Sequence, residues 1–175
     1  LASGVATSCR RTARPSEISL STSCHHCKRI SAISGSLATQ GARATSRLKA
    51  KIGNNVLTGG QVGIAGHIII GDNVQINHNV YIDYSGNIEI EKGVLISNDT
   101  HIISHTHGYN PKSLPKKKPL RIEKNSWIGS KVIIGENVDL ISENSIVAIG
   151  SNLTKNTSAN SIYGGNPAKF IKKIS

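Results

Sequence analysis

Residues 52–82 read "IGNNVLTGGQVGIAGHIIIGDNVQINHNVYI". Ile52, Ile64, Ile70, Ile76 and Ile82 stand at multiples of six, and only Thr58 interrupts the aliphatic series. Four residues after these positions come Val56, Val62, Ile68, Val74 and Val80. A period of six fits neither an α-helix, at 3.6 residues per turn, nor a simple strand, at 2. It fits a coil with flat faces. Each face is a short strand with one side chain turned inward, and a corner follows. Asn and Gly fill the expected corners, in "GNN" at 53–55, "GDN" at 71–73 and "GEN" at 135–137. Both residues tolerate the left-handed backbone that sharp corners demand. Three faces make a triangular coil of about 18 residues, stacked on the next. At about 25 cal/mol per Å² of apolar surface, the stacked Ile and Val column is the expected main source of stability.

The pattern continues down the chain. A second series, Ile90, Ile96 and Ile102, restarts two residues out of step after the insert "DYSGN" at 83–87. A third runs Ile122, Ile128, Ile134 and Leu140, then slips by about one residue to Ile141, Val147 and Leu153. Small residues, Ser145 and Ser151, take the positions four later. An ordinary β-sandwich would not need a fixed period that restarts in register after a loop. The expected fold is all-β: a parallel β-helix over residues 48–175, a hexapeptide-repeat solenoid with one extruded loop at 107–121 and a short C-terminal extension.

The 175 residues suffice for one domain with a real core. No apolar run approaches the ~20 residues of a membrane-spanning helix. The chain begins with Leu and holds no Met, so a trimmed or partial product is expected. Its formal charge of +11 joins two compositions. Residues 1–47 hold six of the seven Arg and all three Cys, with a single Glu. They are rich in Ser, Ala and Thr and lack a sustained apolar period, which predicts a loosely attached basic leader or tail outside the core. Transit peptides share that composition, as do linkers. The leader contains "CHHC" (Cys24, His25, His26, Cys27). A lone C-x-x-C without a second ligand pair is read as incidental. Without interleaved aromatics, the basic tail is not read as a nucleic-acid arm. The cysteine-free body suggests no oxidising compartment, and a cytoplasmic location is expected.

Between the second and third series lies "HTHGYNPKSLPKKKPLR" at 105–121. Its prolines, Pro111, Pro115 and Pro119, would interrupt a strand ladder, so the stretch must leave the coil. A loop extruded from a rigid solenoid is a natural place for function. His101, His105 and His107 lead into it. On extended backbone the three share a parity, but they spread over about 20 Å if the strand stays straight. One metal ion needs ligands within about 2 Å, so a three-histidine metal site is not expected. Neutral imidazole, with a pKa near 6.5, suits a general base at cellular pH instead.

The hexads "IGNNVL", "IGDNVQ", "IGSKVI" and "IIGENV" resemble those of the hexapeptide-repeat acyltransferases. "NSWIGS" at 125–130 and "IYGGNPAKFIKKI" at 162–174 are similar to the branch with galactoside, maltose and polysaccharide O-acetyltransferases. The resemblance covers roughly residues 50–174 and leaves the leader aside. It implies a left-handed coil, trimers with active sites between subunits, and acetyl-coenzyme A as co-substrate with no metal. The γ-class carbonic anhydrases share that coil, but their zinc-binding histidine spacing and ending do not fit here. The expected reaction moves acetyl to a hydroxyl of a sugar or polysaccharide; an antibiotic or serine acceptor is the enzymatic alternative, and a silent β-helix scaffold the non-enzymatic one.

Matching "HIISHTHGYNP" to the family motif puts the catalytic base at His107, with His105 second and an orienting neighbour. His101 falls inside a strand and reads as structural. His67, His78, His25 and His26 receive no catalytic role. Asn77 matches an active-site Asn, against a plain corner residue. Trp127 is expected as a wall for the pantetheine arm or the acceptor, against core packing. A backbone N–H near Ser130 would bind the oxyanion. Ser130 and Ala148 or Ile149 would meet the pantetheine amides. Thr154 and Lys155 match a coenzyme-contacting pair. Lys169 stands where the family often has Arg and would meet coenzyme phosphates, with Lys172 a weaker candidate. No Cys in the body could form an acyl-enzyme, so direct transfer is expected.

Overall fold

A computed structural model describes residues 37–39, 50–64 and 66–175. The "CHHC" cluster and most of the leader lie outside these described residues. The hexads form the expected coil. Strands of two or three residues build three parallel sheets, one per face. One face stacks Lys51–Ile52, Ile68–Ile70, Ile88–Ile90, Leu120–Ile122 and Leu140–Ile141. A second stacks Val56–Thr58, Gln75–Ile76, Leu95–Ile96, Trp127–Ile128 and Ile146–Val147. The third stacks Tyr81–Ile82, His101–Ile102, Ile133–Ile134 and Asn152–Leu153. Leu37–Thr39 pairs in parallel with Val56–Thr58 at the N-terminal edge of the second face. At the other edge, Ser161–Gly165 and Ala168–Lys173 add an antiparallel hairpin.

Register places like on like. Ile52, Ile70, Ile90, Ile122 and Ile141 form one inward ladder. Ile82, Ile102, Ile134 and Leu153 form another. Thr58 continues a ladder of Ile76, Ile96, Ile128 and Val147. All are buried. The four-later residues fill the gaps: Val56, Val74, Val94, Ser126 and Ser145 are buried as well. Each fully buried Ile contributes on the order of 1.5–3 kcal/mol relative to exposure.

Corners take the backbone that Asn allows, with φ of 54° at Asn55 and 56° at Asn73. The corner at 135–137 departs from that expectation, for none of its residues has positive φ. A turn from the Val138 N–H to the Gly135 carbonyl (3.1 Å) absorbs one extra residue there. In consequence Ile141, not Leu140, takes the inward place opposite Ile122, and Leu140 is only half-buried.

The loop also differs in its bounds from the expected 107–121. His105–Thr106 already pairs as an antiparallel ribbon with Lys116–Lys117. The coil resumes at Leu120, which is buried and in register with Ile88, because its side chain is needed to fill the core.

Candidate active site

The insert "DYSGN", which first reads as a register shift, forms the floor beneath the histidines. Asp83 follows the inward Ile82 at a corner and is buried. Its Oδ2 meets His105 Nδ1 at 2.5 Å and accepts from the Ser104 N–H at 2.9 Å. Its Oδ1 accepts from the Ser85 N–H at 3.0 Å and the Ser85 hydroxyl at 2.7 Å. Ser104, fully buried, donates its hydroxyl to the Asp83 carbonyl and accepts from the Gly86 N–H. Burial alone would raise the Asp83 carboxyl. The donors on His105, Ser85 and Ser104 outweigh it and hold the group well below the usual carboxylate range. The carboxylate anchors the His105 ring at Nδ1 and leaves Nε2 as the nitrogen it does not engage.

His107 is fixed differently. Its Nδ1 lies 2.7 Å from the Ser113 carbonyl oxygen, and the Ser113 hydroxyl donates to the His107 carbonyl at 2.7 Å. A carbonyl only accepts, so Nδ1 carries a proton, and in the neutral ring Nε2 is the accepting nitrogen. The His105 and His107 rings meet edge to face with centroids 5.3 Å apart. Two imidazoles, both partly exposed, thus stand at the loop root with set orientations. His101 lies elsewhere, exposed on the outside of its strand against Tyr81. Among the described residues no three His, Cys, Asp or Glu stand together as a metal site.

The remaining expected residues divide between two corners. Thr154 and Lys155 share the corner of Asp83 and the histidines, further along the coil. Asn77, Trp127, Ser130, Ala148 and Ile149 lie at or beside the corner after the second face. Trp127 is no core residue. It is 47% exposed, and its Nε1–H donates to Ser97 Oγ at 3.1 Å. Asn77 Oδ1 accepts from Gln75 Nε2. Within one chain, the third face separates this corner from the histidines.

Groups suited to a pantetheine arm do occur there. The Ser130 and Ile149 N–H groups, one rung apart, have no acceptor among the described residues. The Ala148 N–H is already taken by the Tyr163 carbonyl at 2.8 Å, which leaves only its carbonyl for a ligand. Lys155, Lys169 and Lys172 are exposed, as phosphate-binding side chains would need to be.

Residues 49–83 match the family model of the bacterial transferase hexapeptide (six repeats). A protein described as a probable macrolide acetyltransferase, from Lysinibacillus sphaericus, is 44% identical over 67 residues, covering 35% of this chain and 37% of the relative. The hexapeptide-repeat acetyltransferase of Vibrio cholerae, solved with acetyl-coenzyme A, superposes with TM-score 0.59 at 26% identity, over 75% of this chain and 71% of that one. Residues 49–83 of this chain thus carry the hexapeptide repeat of the bacterial transferases, and its coil is similar to that of solved hexapeptide-repeat acetyltransferases. A maltose O-acetyltransferase from Clostridium difficile 630 also superposes, with TM-score 0.59 at 25% identity over 75% of this chain and 70% of its own. The match to the first curated relatives spans little more than a third of their length.

Asp83, Ser85, Ser104 and Ser113 were not singled out by sequence reasoning. The signal for Asp83 was its place at the break between hexad series, directly after an inward Ile. Nothing local marked the serines.

Proposed function

We propose that the protein transfers an acetyl group from acetyl-coenzyme A to a hydroxyl of a sugar or polysaccharide. The observation that carries this is the pair of oriented imidazoles at the root of the extruded loop. The maltose-acetylating relative supports a saccharide acceptor. The complex of the Vibrio cholerae relative supports the donor.

His107 Nε2 takes the proton of the acceptor hydroxyl as its oxygen attacks the acetyl carbonyl carbon. The oxyanion of the tetrahedral intermediate is bound by a backbone N–H, for which the Ser130 amide is suited. The intermediate collapses with cleavage of the C–S bond, and His107 returns the proton to the departing thiolate. His105, held by Asp83, packs its ring against His107 and orients it. A second reading makes His105 the base, because a carboxylate partner stabilises the imidazolium formed on proton uptake. The histidines and the Trp127 corner sit on different edges of one chain, so this reading requires a neighbouring copy to complete each site, in a trimer.

Thiol release from acetyl-coenzyme A with a panel of sugars tests the proposal. His107→Ala is expected to lower kcat by roughly 10²–10⁴-fold, the range for loss of a general base, and His105→Ala by less. If His105→Ala gives the larger loss, the second reading holds. If no sugar promotes release, the transferase reading fails.

A further inference from the structure

The loop that carries the histidines also carries cations without an acidic partner among the described residues. Residues 105–118 contain four lysines, Lys112, Lys116, Lys117 and Lys118, and no acid. Ion pairs among the described residues join His105 to Asp83, Arg121 to Glu91 and Lys124 to Glu143. Among the described residues none of the four loop lysines has a carboxylate partner.

Their placement is specific. In the antiparallel ribbon, Lys117 lies directly opposite His105, and Lys116 opposite Thr106. Residues directly opposite share one face of a ribbon, with Cβ atoms about 5 Å apart. His107, two residues from His105, returns to that face, and the two rings are in contact. Lys117 therefore stands on the same face as both imidazoles. Lys118 is held at the ribbon base, where its N–H donates to the Ser104 carbonyl at 2.9 Å. Tyr109 and Leu114, fully exposed on the same loop, offer apolar surface for a sugar ring.

Lys116 and Lys118, one residue either side, alternate to the other face, so Lys117 is the lysine of the imidazole face. An exposed ammonium held there is available to an anionic group on a ligand. The lysines that the family resemblance assigns to coenzyme phosphates, Lys155, Lys169 and Lys172, lie toward the C-terminal end of the coil, at least two rungs away. On the reading that this site acetylates a sugar hydroxyl, we infer that its acceptor is an acidic saccharide, bearing a phosphate or carboxylate that Lys117 holds beside His107.

The test is a binding experiment on the full chain, so that it does not depend on turnover. Glucose 6-phosphate, glucuronate and glucose are titrated while the ring resonances of His105 and His107 are followed by NMR. Both anionic sugars are expected to shift these resonances at concentrations at least about tenfold below glucose, the scale of one charge-assisted contact. Lys117→Gln should bring the three probes level. Coenzyme A and 3′-dephospho-coenzyme A are titrated in parallel, and their binding should be unaltered by that substitution. Equal behaviour of the three sugars in the native chain overturns the inference. So does a Lys117→Gln variant that weakens only coenzyme A, since the lysine would then serve its phosphates. Preference for the anionic sugars with no thiol release from acetyl-coenzyme A would keep the anion subsite at Lys117 but overturn its role for an acceptor, together with the transferase reading.

Discussion

Replacing Asp83 by Asn keeps the size of the side chain and removes its charge. The carboxylate accepts from Ser85 at Oδ1 and from Ser104 and His105 at Oδ2. Whichever way the new amide is turned, its NH₂ faces a pair of donors. Turned toward Ser104 and His105, it confronts the Ser104 N–H, while the His105 ring can change tautomer and accept at Nδ1. Turned toward Ser85, it confronts the Ser85 backbone N–H, while that hydroxyl can rotate to accept. Either orientation loses one backbone bond and the charge assistance on the others. At about 1.5–3 kcal/mol for a hydrogen bond to a charged group, the expected destabilisation is roughly 2–4 kcal/mol. That fits within the ~5–15 kcal/mol of a typical domain, so the variant should remain folded. Urea unfolding measures the loss, and kcat for acetyl transfer should fall with it as His105 loosens.

The pH dependence gives a second, independent reading. The Asp83 carboxyl is held below its ordinary range in the folded chain. Its contribution is therefore present above the unfolded Asp pKa of about 3.9 and is lost as pH falls through the folded value. The stability gap between the native chain and Asp83→Asn should be full at pH 7 and begin to close below about pH 4. A gap under about 0.5 kcal/mol at pH 7, or one that stays constant down to pH 3, would refute the reasoning, for the carboxylate would then carry no net interaction.

Gly86→Ala should damage the site more than the fold. A Cβ there would overlap the Lys118 carbonyl oxygen and stand 2.5 Å from that of Ser104, so the ribbon must shift; activity should fall at least about tenfold with the β-sheet circular dichroism spectrum retained, and unchanged activity would show that the ribbon is not held there. Light scattering should return three times the chain mass for the active protein; a fully active monomer would show that one chain completes the site alone.

The inward side chains were legible in the sequence because their period is local. Ile at every sixth position, with Asn or Gly at the corners, reports a flat face and a turn without reference to any distant residue. The prolines of 111–119 likewise announced the loop, and the histidines at its root followed. Outward contacts were not legible, because they join residues of different rungs. Asp83 meets His105 only because the insert adds residues to one coil and turns that carboxylate beneath the next, 22 positions on. Lys117 comes opposite His105 only because the loop returns as a ribbon. Trp127 faces outward by the parity of a two-residue strand whose Ile128 must fill the core. The slip at Ile141 was visible, but the tertiary structure decided where it falls, since the core had to close against Ile122. The periodicity of burial thus belonged to the sequence. The pairing of polar groups belonged to the stacked coil, where register sets which surface residues meet.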